Sequence, residues 1–162
     1  MSRSSEGSDF FERARAVAAT GMFVAGLCAV AGSILDWVTI TPPPTVPADQ
    51  AERVEAFTGL DVIDGRIVLA AGVVLLIAAG WLMLKAATRP GVIGLLASVL
   101  LGGIAFADFR QIEEPSSDMM RRMDRIGVDG PGIGLVLVAI AAVLGLITSV
   151  AGMAASPKRD ED

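Results

Sequence analysis

The chain has no histidine and no tyrosine, and its single cysteine is Cys28. Without histidine the common nucleophile and base arrangements lack their base, and no Cys/His metal site can be assembled. One cysteine cannot form an internal disulfide. Leu27 precedes it where a lipid-attachment signal would carry a small residue, so Cys28 reads as a small buried hydrophobe. No Gly-Lys-Ser/Thr phosphate loop occurs. Charge is also scarce, at 19% of residues, against about 25% in an ordinary soluble domain. It is missing altogether from four stretches, 16–35, 67–84, 90–107 and 131–155. Intramembrane acids and bases are the usual marks of proton relays and ion paths. These absences point away from an enzyme, and no catalytic, cofactor-binding or metal-binding residue is expected.

What fills the four stretches is apolar, and each is long enough to cross a hydrocarbon core of about 30 Å at 1.5 Å per helical residue. The expected fold is an all-α membrane protein, a four-transmembrane-helix bundle spanning residues 9–156. A tail without structure is expected over 1–8 and a second tail over 157–162. The first stretch is read as a retained anchor, because about 20 residues exceed the 7 to 15 of a signal peptide's apolar region. Loops 36–66 and 108–130 would form a small extracytoplasmic cap, with short strands as one option. Val38-Thr39-Ile40-Thr41 is β-prone and stops at Pro42-Pro43-Pro44. Residues 48–57 read equally as a helical turn or a second strand, and Thr58-Gly59-Leu60-Asp61 and Asp64-Gly65-Arg66 as turns. Residues 115–126 read as an amphipathic helix, and the stretch from Val128 as the start of the fourth span, with Pro131 in its first turn.

Charge sets the expected orientation. The short loop 85–89 carries Lys85 and Arg89 and no acid, a cytoplasmic signature. Alternation then puts both termini in the cytoplasm, giving that side a net +1 and the outer loops a net −6. The outer loops hold 18 of the 31 charged residues. A plasma-membrane location follows, with Phe10, Phe11 and Trp81 at the inner interface and Trp37 at the outer one.

Small residues recur at intervals of four within the spans: Gly21, Ala25, Ala29 and Ser33 in the first, Gly94, Ser98 and Gly102 in the third, and Ala141, Gly145 and Ser149 in the fourth. That spacing lets backbones approach where lipid provides no hydrophobic drive. It suits packing inside the bundle or a homo-oligomer face. The candidate outer interaction surface comprises Trp37, Asp61, Asp64, Arg66, Met119, Met120 and Met123. The methionines are included because an unbranched, polarisable side chain adapts to a partner. Asp36, Asp61, Asp64 and Asp108 all lie near span ends and are either solvated helix-end charge or oxygen ligands for Ca²⁺ or Mg²⁺.

Leu35-Asp36-Trp37, Thr58-Gly59-Leu60-Asp61, Asp64-Gly65 and Gly132-Ile133-Gly134-Leu135 together resemble small actinobacterial four-helix membrane proteins of the tryptophan-associated membrane protein type. The resemblance implies the four-helix architecture and no particular activity. In outline the layout is also similar to claudin-like proteins. It lacks their Gly-Leu-Trp and paired loop cysteines, so a sealing role is not implied.

The functional expectation is a non-enzymatic accessory or scaffold subunit that engages an envelope partner through its acidic outer loops. The alternative is a small transporter or channel subunit acting as an oligomer, with Ser98, Thr148 and Ser149 along the path. Expected partners are the lipid bilayer and a membrane or envelope protein or a second copy. Scattered basic residues on a net acidic chain give no nucleic-acid platform.

Overall fold

The computed structural model describes residues 3–40, 58–85, 87–113 and 128–156. Four helices carry the fold: α1 (Arg3–Ile34), α2 (Ile63–Leu84), α3 (Arg89–Glu113) and α4 (Ile133–Ala154). Two short strands, β1 (Val38–Ile40) and β2 (Val128–Pro131), and a 3₁₀ turn (Gly59–Asp61) sit at one end of the bundle, called here the strand end. All four helices are long and apolar enough to cross a membrane, over Asp9–Ile34, Ile63–Leu84, Arg89–Ile112 and Ile133–Ala154. In hydrocarbon each backbone N–H and C=O must bond within the protein, and a helix achieves this within one segment. A helix of 22 residues extends about 33 Å, enough for the bilayer core. The chain is a multi-pass membrane protein with a four-helix bundle fold.

The helices form a ring in chain order. Helix α4 packs closely on α1 and α3, α1 on α2, and the α2–α3 seam is the thinnest of the four, while α2 and α4 scarcely meet across the middle. The centre is filled by Met22, Leu75, Leu101, Leu135 and Val138, all inaccessible to solvent. Around them the small residues bring backbones together. A side-chain carbon on Gly32 of α1 would lie 2.7 Å from the carbonyl oxygen of Gly134 in α4. One on Gly94 of α3 would meet Ser149 Oγ at 2.7 Å, and one on Gly21 would strike Thr148.

Helix ends depart from the apolar stretches in three places. Helix α1 begins at Arg3, so most of the tail expected to lack structure is helical. Once a helix is nucleated, each added residue gains a hydrogen bond for one fixed conformation. Helix α3 continues past Ala107 to Glu113, because Ala105, Phe109 and Ile112 recur at helical spacing and keep one face on the core. Helix α2 starts at Ile63, with Gly65 and Val68 already buried. Asp64 and Asp108, read as loop residues, therefore stand on helices inside the spans.

A fourth departure concerns the start of α4. Residues 128–131 form β2 and not the first turn of the span, and Pro131 lies outside the helix, which begins at Ile133. Strand β2 pairs antiparallel with β1 (Val38 with Pro131, Thr39 with Gly130, Ile40 with Val128) and has an irregularity between Thr39 and Ile40. Proline has no amide to donate to a ladder, which confines it to strand edges and ends, and Pro131 takes such a terminal place.

At the opposite end, Ser156 Oγ donates to Ala87 O at 3.2 Å and to Gly152 O at 2.9 Å, tying the end of α4 to the short connection between α2 and α3. Phe10 and Phe11 form an exposed edge-to-face pair with ring centroids 5.9 Å apart near the start of the first span.

Candidate functional site

The strand end is built where α1 stops. Beyond Ile34 the chain turns so that Trp37 folds back under the helix, 5% exposed, and its indole Nε1–H donates to Gly32 O at 2.8 Å. The turn frees the carbonyls of Leu35, Asp36 and Trp37 to serve neighbouring segments. Trp37 O accepts from Gly132 N–H at 2.7 Å and Asp36 O from Gly134 N–H at 2.9 Å, so an amide at the start of α4 is satisfied by α1's exit. Leu35 O accepts from Gly59 N–H at 3.3 Å, and Asp36 pairs with Thr58 in an isolated antiparallel bridge.

The 3₁₀ turn is held by its own acid. Asp61 Oδ2 accepts from Thr58 Oγ1–H at 2.8 Å and Thr58 N–H at 3.0 Å. Arg66 Nε–H donates to Leu60 O at 3.2 Å and fastens the turn to α2. Gly59 has its α-carbon against the indole: an added side-chain carbon would lie 2.5 Å from Trp37 Nε1 and 2.6 Å from Ser33 O. Gly65 in turn rests on the backbone of Gly59, and Gly132 on that of Asp36. The four short motifs, scattered over about a hundred residues of sequence, thus meet in one knot, with glycines where backbone touches backbone.

This knot changes the reading of the interaction candidates. Trp37 is buried with its donor satisfied, so it holds the strand end together and presents no surface. Asp61 and Arg66 are exposed but serve the turn, and Asp64 is exposed in the first turn of α2. There a carboxylate is favoured by the helix dipole. Met119, Met120 and Met123 lie outside the described residues, as do the amphipathic segment 115–126 and residues 48–57. Among the described residues no three carboxylates gather where a cation could sit, so Asp36, Asp61, Asp64 and Asp108 do not form the oxygen-ligand group considered for them.

All the small-residue candidates except Gly102, which is half-buried, and Gly21, also half-buried and directed at Thr148, are buried within the bundle. Three of the span hydroxyls bond their own helices: Ser33 to Val30 O at 2.7 Å, Ser98 to Gly94 O at 2.7 Å and Thr148 to Leu144 O at 2.8 Å. Such bonds satisfy the hydroxyl locally and leave it no free donor for a passing solute. Ser149 Oγ is buried with no hydrogen-bond partner among the described residues, between α3 and α4 beside Gly94.

A feature absent from the sequence reading lies on the opposite side of the ring from the tight α1–α4 seam. Between α2 and α3 the helices part into an apolar groove of about 360 Å³, lined by residues such as Ile67, Ala70, Val74, Leu96, Ala97 and Leu100. Towards the strand end a second hollow, of about 410 Å³, shares Leu100 and takes in Asp64, Gly103, Asp108 and Gln111. Asp108 is half-buried, and its Oδ2 is enclosed with no hydrogen-bond partner among the described residues. The signal available in the sequence was the pairing of an acid just before the start of one apolar stretch, Asp64, with an acid just beyond the end of the next, Asp108. Comparison with protein-family models, with curated proteins and with solved structures finds no match.

Proposed function

We propose that this protein is a non-enzymatic accessory or scaffold subunit of the plasma membrane, with both termini cytoplasmic and the strand end facing outward, where it engages another envelope protein. The observation that carries this reading is the division of labour along the bundle axis. The interior is given to close packing, with Ser33, Ser98 and Thr148 bonded within their own helices and Ser149 shut between α3 and α4, while the cap is fixed in shape by Trp37, Gly59 and Asp61. A rigid cap on a packed bundle suits presentation of a surface better than passage of a solute. The charge asymmetry between the short loop 85–89 and the acidic loops supports the orientation. The resemblance to small actinobacterial four-helix proteins agrees with this architecture.

The test is co-purification after mild detergent extraction from the native membrane, with and without alanine substitutions at Asp36, exposed at the strand end, and at Met119, Met120 and Met123 of the loop 108–130. A partner retained by the native chain and lost from the variants supports the reading. A chain that extracts alone from membranes in which it is functional refutes it. Protease access to the strand end from outside intact cells tests the orientation.

A further inference from the structure

The α2–α3 groove has three properties that belong together. Its body is apolar and lies within the spans, so its occupant is drawn from the membrane. Its lining includes the small residues Ala70, Ala71 and Ala97, with Gly103 in the adjoining hollow and open space above that glycine's α-carbon. Small residues of this kind let a helix backbone approach closely. Its strand end closes on two carboxylates, Asp64 and Asp108, and no basic side chain stands among the described residues that line the hollow. A carboxylate at the edge of hydrocarbon is costly unless a cation or donor meets it, and charged groups in spans characteristically pair with one another. The acids repel a lipid phosphate.

We propose that this groove is the docking slot for a transmembrane helix of a second protein, one that carries a lysine or arginine level with Asp64 and Asp108. The proposal rests on the scaffold reading above and names the face and the partner's chemistry. The apolar wall supplies the packing surface, and the acidic end selects both the partner and its depth. A neutral helix can lie on the wall but brings no cation to the two acids that line its end, so the basic residue gives the specificity.

The experiment uses the full chain with Cys28→Ala, reconstituted in phosphatidylcholine vesicles with a single-span leucine–alanine peptide. The peptide carries one cysteine for crosslinking and one lysine level with Asp108; a control peptide carries glutamine in its place. Crosslinking is read at Leu96→Cys in the groove and at Ile147→Cys on the lipid-facing side of α4, which is 63% exposed. The lysine peptide should crosslink at Leu96→Cys about tenfold more than the glutamine peptide, the discrimination expected of a desolvated charge pair. Asp64→Asn with Asp108→Asn should erase that preference, and Ala70→Leu should block both peptides by filling the groove. Helix content by circular dichroism shows that each variant is folded. Three results would overturn the proposal: equal crosslinking of the two peptides, which marks an unselective lipid-filled groove; equal crosslinking at Ile147→Cys; or a Leu96→Cys dimer of the chain itself that persists in the double asparagine variant. Any of these leaves co-purification through the cap untouched, so the groove can fail while the scaffold reading stands.

Discussion

The α1–α4 seam and the α2–α3 seam are made of the same kinds of residue and behave oppositely. In the first, Gly32 and Gly134 bring backbone against backbone, and Gly21 takes the methyl of Thr148. In the second, alanines face an unfilled hollow and Gly103 has nothing within 4 Å of an added carbon. Helix α3 is accordingly the least enclosed of the spans, with 28% of its apolar window buried against 44% for α1 and α4. Small residues at spacings of four therefore do not by themselves say which seam is closed. What distinguishes the seams is the exit of each helix. Helix α1 leaves through Trp37, whose neighbours accept the first amides around α4 and clamp the two helices at their ends. No such clasp joins α2 to α3 among the described residues at the strand end, where two carboxylates face the same hollow.

The largest effect should come from breaking the clasp. Trp37→Ala removes a buried indole and its bond to Gly32, and a loss of about 3 to 5 kcal/mol is expected, measured as unfolding in mixed detergent micelles. Trp37→Phe should lose less, since most of the ring volume remains. If Trp37→Ala were tolerated, the difference between the seams could not originate at α1's exit. Next in size is Gly134→Ala. The added methyl would meet the carbonyl oxygens of Gly32 and Leu35, both at 2.7 Å. These are backbone atoms that cannot swing aside, so a cost of about 1 to 3 kcal/mol is expected. Thr58→Val tests the outer part of the knot by leaving Asp61 one donor fewer, and about 1 kcal/mol should be lost. The smallest effect belongs to the groove. Ala70→Leu should change stability by less than about 0.5 kcal/mol, because its side chain enters open space. A large loss there would show that the α2–α3 seam is closed after all.

The architecture was legible because uninterrupted apolar stretches of this length admit few folds in lipid. The helix ends were less so. Charge-free runs located where hydrocarbon is tolerated, but helices continue for as long as one face stays covered, and Phe109 and Ile112 carry α3 past Asp108. Local pattern found β1 from Val38-Thr39-Ile40 but could not find its partner, because Val128-Asp129-Gly130-Pro131 has little β propensity and pairs only through tertiary position. Trp37 was noticed for its place at a span end, where an aromatic usually anchors to the interface. Its burial depends on Gly59 and Gly132 arriving from distant segments. The short motifs looked unspecific singly, and their meaning lies in their meeting. The groove itself was not legible: the two acids near its end stand in the sequence, but which seam is clasped depends on contacts between distant segments, such as those at the exit of α1.

One paired measurement bears most directly on the contrast between a closed and an open side. The same change, glycine to alanine, is made at Gly32 in α1 and at Gly103 in α3, and unfolding free energies are compared in one detergent mixture. Gly32→Ala places a methyl 2.7 Å from Gly134 O and should destabilise by about 1 to 3 kcal/mol. Gly103→Ala enters open space in an uninterrupted helix and should stabilise by about 0.5 kcal/mol. Opposite signs are the result required by a bundle locked at α1–α4 and open beside α3. A loss of similar size at both positions would contradict it.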